Sequence, residues 1–210
     1  MTDKIPSRGL YIITDHTQPD EQIVDTTLAA LQAGASIVQL RLKGERALSS
    51  DAELLAQKLL ICCQQHQALF IVNDNPELAQ RIGADGVHLG EDDGNILDAR
   101  NRLGNMAVIG VSCYNSIERA LQAQREGADY VAFGRFFPST SKPDAQSADS
   151  DMLADAQSCI NVPIVAIGGI TPDNGAQLLT AGADYLAVIE GVYGQDNPYQ
   201  AARNYLNLFK

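Results

Sequence analysis

The sequence is poor in positive charge: 15 Lys and Arg stand against 26 Asp and Glu, for a formal net charge of −11 at pH 7. That balance repels a phosphate backbone and leaves no electrostatic footprint for nucleic acid, so a bound anion has to be held by local groups. No stretch approaches the apolar length that spans a bilayer, and the N-terminal residues lack the basic start and apolar run of a signal peptide. No membrane partner is expected. The four cysteines, Cys62, Cys63, Cys113 and Cys159, form no CxxC pair and have no histidine at zinc-ligand spacing. They read as reduced, buried, small apolar residues of a cytoplasmic protein that needs no disulfide staples. Also missing are a nucleophile elbow and an HExxH, and Cys113 has no evident histidine partner. Covalent and zinc chemistry therefore lack support.

What is present is a repeat. Gly34-Ala35-Ser36, Gly83-Ala84-Asp85, Gly127-Ala128-Asp129 and Gly182-Ala183-Asp184 each follow a helical pattern and precede an apolar run, at spacings of 49, 44 and 55 residues. A glycine suits the left-handed position after a helix, and each spacing holds about two β/α units. Short, mostly unalternating apolar runs, as in parallel strands buried on both faces, occur at Leu10–Ile13, Ser36–Leu40, Leu69–Val72, Gly86–Leu89, Ala107–Val111, Tyr130–Phe133, Ile164–Ile167 and Tyr185–Ile189. Helical stripes fill the gaps: Val24, Leu28 and Leu31; Leu55, Leu59, Cys62 and Cys63; and, after an Asn197 cap and Pro198, Tyr199, Ala202, Leu206 and Phe209. Eight such units in one domain spanning residues 1–210 form either a closed (β/α)8 TIM barrel or a doubly wound sheet. Near-equal units and the absence of a GxGxxG favour the barrel.

In a barrel, the carboxyl ends of the strands and the loops after them build the active site. Polar residues are dense there: Thr14-Asp15 after the first strand, Gln39, Leu40, Arg41, Leu42 and Lys43 at the second, Asn73-Asp74 at the third, Gly90 to Asp93 at the fourth and Ser112 after the fifth. Gln39, Arg41 and Lys43 share one side of an extended segment; if that side is the barrel interior, they need partners or ligands, and otherwise the two cations are solvated rim charges. The stretch from Gly134 to Pro143 carries the hydroxyls of Ser139, Thr140 and Ser141 and then Lys142, a set able to grip a phosphate. Gly168-Gly169 is either a tight turn or, with the exposed backbone N–H groups along Gly168 to Pro172 and the start of a helix, an anion cradle. Asp74 and Asp93 converge if the third and fourth strands are neighbours. Converging carboxylates accept Mg²⁺, which takes one or two of them and leaves its other positions to water and phosphate oxygens. The alternative for Asp74 is a helix N-cap. His88, alone within a strand, reads as a hydrogen-bonded structural residue. The polar segment 139–149 is either a lid that excludes water or a surface loop.

The order Val38 to Lys43, Phe70 to Asp74, Gly83 to Gly90, Gly110 to Ser112, Gly134 to Lys142 and Val165 to Ile170 resembles the thiamine phosphate synthase family over nearly the whole chain. The resemblance implies that hydroxymethylpyrimidine diphosphate loses diphosphate and that a thiazole phosphate, or its carboxylated form, captures the pyrimidinylmethyl group. It implies that Gln39 to Lys43, Asn73, Ser112 and Lys142 hold the pyrimidine diphosphate, with Lys43, Ser112 and Lys142 at the reacting centre. It further implies that Asp74 and Asp93 bind Mg²⁺, and that Ser139, Thr140, Ser141, Gly169, Ile189 and Glu190 meet the thiazole phosphate. The family often has threonine at 139 and 141, proline at 135, serine at 190 and glutamine at 91. The Glu190 carboxylate beside a phosphate is unfavourable unless it points away. Two rival readings are a paralogous thiazole tautomerase, which needs no diphosphate and metal site, and a noncatalytic barrel that senses a thiamine precursor.

Overall fold

The computed structural model describes residues 4–90, 94–138 and 148–210. Its eight strands are β1 (Gly9–Ile13), β2 (Ile37–Leu40), β3 (Leu69–Asn73), β4 (Gly86–Leu89), β5 (Val108–Tyr114), β6 (Tyr130–Phe133), β7 (Ile164–Ile167) and β8 (Tyr185–Val188). They pair in parallel in chain order, and β1 closes on β8. The fold is therefore the barrel and not the open sheet. Helices α1 (Asp20–Ala33), α2 (Ser50–Gln65), α3 (Pro76–Ile82), α4 (Ile96–Leu103), α5 (Ile117–Glu126), α6 (Asp151–Cys159) and α7 (Gly175–Thr180) alternate with the strands. A single turn, α8 (Glu190–Tyr193), and then α9 (Pro198–Leu206) follow β8.

The repeat has a mechanical cause. The glycines after α1, α3 and α5 take left-handed backbone, and so does Gly182 just past α7. The next residue, Ala35, Ala84, Ala128 or Ala183, donates its N–H back to a carbonyl five residues earlier at 2.9–3.0 Å. The third residue starts the descent into a strand. Where it is aspartate, its Oδ2 accepts an N–H at the foot of the preceding strand: Asp85 from Phe70, Asp129 from Ile109 and Asp184 from Ile164, each at 2.8 Å. Every second unit is thus tied to its predecessor at the amino-terminal rim. Asp129 also binds Lys4 at 2.9 Å and Arg100 at 2.6 Å, while Arg100 reaches the carbonyls of Ala107 and Gly127.

Strand alternation sorts the core into two shells. Tyr11, Ile13, Ile37, Ile71, Val108, Tyr130, Ala132, Val165, Tyr185 and Ala187 fill the barrel, whereas Leu10, Ile12, Val38, Leu40, Phe70, Val72 and their like pack beneath the helices. Two of the expected helix stripes are rotated. On α1 the buried face is Ile23, Thr26, Thr27, Ala30 and Leu31, with Val24 and Leu28 only half-buried. Thr27 tolerates this because its hydroxyl bonds the Ile23 carbonyl and the Tyr193 hydroxyl, both at 2.7 Å. On α9 the buried residues are Ala202 and Tyr205, while Tyr199 is exposed. Asn197 caps that helix as expected, accepting the N–H of Gln200. All four cysteines are free thiols; burial pushes Cys113 up to about 12 and Cys63 higher still, which removes both as nucleophiles near neutral pH.

Candidate active site

A cavity of about 440 Å³ opens at the carboxyl ends of the strands, within the usual range for a small-molecule site. Gln39 has the parity of Ile37, so it and then Arg41 and Lys43 project to the inside; all three line the cavity. Leu40 and Leu42, expected at the same site, have the opposite parity: their side chains lie in the outer shell beneath the helices. Arg41 is held in place by its backbone, since its N–H donates to Thr14 Oγ1 (2.9 Å) and its carbonyl accepts from that hydroxyl (3.3 Å). Burial pushes its guanidinium below its ordinary pKa, opposed by the carboxylates of Asp74 and Asp15. His16, 3.4 Å from Arg41, is held below the usual imidazole range by burial and by that same cation.

Asn73 and Asp74 arrive from β3. The N-cap of α3 is Asn75, whose Oδ1 accepts the N–H of Leu78 at 2.9 Å, so Asp74 is not the cap. Asp74 instead adopts left-handed backbone (φ 62°), which brings its carboxylate to the cavity wall. There it accepts from Lys43 Nζ at 2.5 Å and from the side-chain amide of Asn73. β3 and β4 are neighbours, with Asn73 opposite His88 and the Asp74 N–H donating to the His88 carbonyl at 2.8 Å. The carboxyl end of β4 therefore lies next to Asp74; Asp93 and Glu91, which follow it in sequence, lie outside the described residues. So do Ser139, Thr140, Ser141 and Lys142, and with them most of the expected lid.

Ser112 lies within β5, not after it. The strand runs on to Tyr114 through a bulge between Ser112 and Tyr114, and Ser112 faces the cavity. Gly169, Ile189 and Glu190 form the opposite wall. Gly169 is left-handed (φ 63°), and a Cβ there would stand 2.3 Å from the Pro138 carbonyl oxygen, so only glycine lets the two loops meet. The helix that follows begins at Gly175, and Asn174 just before it turns back to accept the Thr171 N–H (2.8 Å) and donate to the Gly169 carbonyl (3.1 Å). Glu190 opens α8, and its carboxylate folds back over Gly194 at the far end of that turn.

The floor adds three groups the sequence did not mark as functional, Tyr11, Tyr130 and His88, and joins them to Gln39 and Ser112. Tyr11 and Tyr130 meet at 2.8 Å between hydroxyls, Gln39 Nε2 donates to Tyr11 at 2.6 Å, and His88 bridges Tyr130 and Ser112 at 2.9 Å on each ring nitrogen. His88 is hydrogen-bonded, as expected of a lone strand histidine, but it also lines the cavity. Its shared parity with Gly86 and Gly90, facing the barrel interior, was the available signal. Among the described residues no cluster of three or more metal-ligating side chains occurs. Asp74, a carboxylate at the cavity wall, suits a hard cation that takes few protein ligands.

The architecture and the cavity define a (β/α)8 barrel that gathers cations and hydrogen-bond donors at its carboxyl rim. Residues 10–192 match the family described as thiamine monophosphate synthase (TMP-TENI), and the chain belongs to that family. It is 47% identical to the thiamine-phosphate synthase of Nitrosococcus oceani over 203 residues, 96% of this chain and 93% of that one. It is 50% identical to the namesake from Chromobacterium violaceum, covering 93% of each chain. The solved thiamine phosphate pyrophosphorylase from Pyrococcus furiosus superimposes with a TM-score of 0.86 at 32% identity, over 98% of this chain and 96% of that one. No helix among the described residues is long and apolar enough to cross a membrane.

Proposed function

We propose that the chain is a thiamine phosphate synthase, joining hydroxymethylpyrimidine diphosphate to a thiazole phosphate, with Mg²⁺. The observation that carries this reading is the convergence of Gln39, Arg41, Lys43, Asn73, Asp74 and Ser112 on one cavity of a barrel in this family. The bond between the exocyclic methylene and the diphosphate oxygen breaks, and its electron pair leaves with the diphosphate. The electron-rich aminopyrimidine stabilises the cation left behind, and the thiazole ring nitrogen supplies the pair for the new C–N bond. No protein nucleophile enters, which agrees with thiols held protonated by burial.

The chain's own work is positioning and charge compensation. Gln39, Arg41, Asn73 and Ser112 would hold the pyrimidine diphosphate. Lys43 and Lys142 would face the departing oxygens, and Ser112 would sit at the reacting centre. Asp74 and Asp93 would hold Mg²⁺, which when bound supplies positive charge to the diphosphate. Gly169, Ile189, Ser139, Thr140, Ser141 and the backbone at Glu190 would receive the thiazole phosphate. With its carboxylate turned toward Gly194, Glu190 does not oppose that anion at contact distance.

The test is an assay of purified protein with both substrates, with and without Mg²⁺, separating thiamine phosphate and diphosphate by chromatography. Metal-dependent formation of both products is expected. A folded protein that binds thiazole phosphate but makes no product would overturn the reading in favour of a tautomerase or a sensor.

A further inference from the structure

Five polar side chains from four different strands and the rim of β2 run without a break across the cavity floor: Gln39, Tyr11, Tyr130, His88 and Ser112. Gln39 and Tyr11 are buried, Tyr130 is 1% exposed and His88 is 8% exposed. The barrel makes room for this line. Gly110 has no side chain because a Cβ there would stand 1.9 Å from the Tyr130 ring, and the His88 and Tyr130 rings stack at 5.6 Å with 22° between planes. Burial drives both tyrosine hydroxyls well above their ordinary pKa, so each keeps its proton and can both give and accept one bond.

With a neutral His88 ring, and with each tyrosine hydroxyl giving one bond and taking one, this line has two directions. If Gln39 Nε2 donates to Tyr11, then Tyr11 donates to Tyr130, Tyr130 donates to His88 Nδ1, and the ring, carrying its proton on Nε2, donates to Ser112. The Ser112 proton is then left to point into the cavity, and Gln39 keeps its Oε1 as the acceptor there. If the Gln39 amide is turned over, every bond reverses, and Ser112 offers only lone pairs while Gln39 offers N–H groups. In the first direction Gln39 Nε2 lies against both tyrosines, which leaves Oε1 as the group it turns to the cavity.

We propose that Tyr11, Tyr130 and His88 are positioning residues that lock Gln39 as the acceptor and Ser112 as the donor toward one substrate, the pyrimidine diphosphate. This rests on the reading of the cavity given above. An aminopyrimidine offers an exocyclic N–H to an acceptor, and its diphosphate arm and ring nitrogens take a bond from a donor, so a site with this polarity at its two ends selects that substrate over one with the reverse pattern.

Nitrogen-15 spectra of the wild-type protein read the direction without any turnover. The chain has three histidines, and His88→Gln assigns the signal that disappears. The expected state is a neutral His88 ring with its proton on Nε2, giving way to a mixture of tautomers in Tyr130→Phe. In kinetics, Tyr130→Phe and Tyr11→Phe should each raise KM for the pyrimidine diphosphate about tenfold, the loss of roughly one hydrogen bond, with KM for the thiazole phosphate unchanged. The non-additivity between Gln39→Ala and Ser112→Ala should also vanish in the Tyr130→Phe background. A wild-type ring protonated on Nδ1 would overturn the proposed polarity, and equal rises in both KM values would reduce the three residues to packing. If the wild-type protein makes no thiamine phosphate, the functional reading fails while the spectra still decide the direction of the line.

Discussion

The two rims of the barrel carry similar residue types to opposite ends. At the amino rim Asp129 is closed on Lys4, Arg100 and a backbone N–H, and Asp85 and Asp184 each take the N–H at the foot of a strand. Those carboxylates are spent on joining one β/α pair to the next. At the carboxyl rim Lys43 and Asp74 pair with each other at 2.5 Å, but they and Arg41 line a cavity, and the groups that hold them, Thr14 and Asn73, leave them facing it. Charge closed off at the foot of the barrel serves the fold, whereas charge that lines a cavity, even when paired, is accessible to a ligand.

That division can be broken at either end. The largest effect is expected at the carboxyl rim, where Lys43→Ala should lower the rate of thiamine phosphate formation by about 10²–10³-fold with a melting temperature close to wild type. Calorimetry and the chromatographic assay on the same sample check both halves. Asp129→Ala should do the reverse. It strands two cations and an N–H and should cost about 3 kcal/mol of unfolding free energy in denaturant titrations, with kcat unchanged. Gly169→Ala lies between the two, because its Cβ would meet the Pro138 carbonyl. It should raise KM for the thiazole phosphate several-fold and leave KM for the pyrimidine diphosphate alone.

The smallest effect separates two aspartates of the same repeat. Burial raises the Asp184 pKa from its ordinary 3.8. The folded state then binds more protons than the unfolded chain between that ordinary value and the raised one, so stability falls as pH rises through this window. Asp184→Asn keeps an oxygen for the Ile164 N–H and should flatten that fall, with a change at neutral pH of about 1 kcal/mol or less. Unfolding midpoints measured across the acidic range read it directly.

Much of this was legible in the sequence because a strand buried on both faces leaves an apolar run with no alternative reading. Seven of the eight runs end within one residue of the strands observed. The fifth was cut short because Ser112, Cys113 and Tyr114 look like a loop, and the bulge that keeps them in the sheet is set by β6. Alternation along Gln39, Arg41 and Lys43 gave their shared face, and also means that Leu40 and Leu42 turn away. The buried face of α1 was missed because Thr26 and Thr27 count as polar until Tyr193, far along the chain, arrives to bond Thr27. The Tyr11–Tyr130–His88 floor is likewise a tertiary fact: its members lie on three strands, and apart from the interior parity of His88 nothing local distinguishes them from core residues.

The most direct test of the division between rims is amide hydrogen exchange with and without the pyrimidine diphosphate and Mg²⁺, in the absence of the thiazole. Added protection is predicted at residues 39–43, 73–74 and 110–114, with the foot of the barrel around 85, 108 and 129 unchanged. Protection centred on that foot, with the carboxyl rim unaffected, would contradict the account.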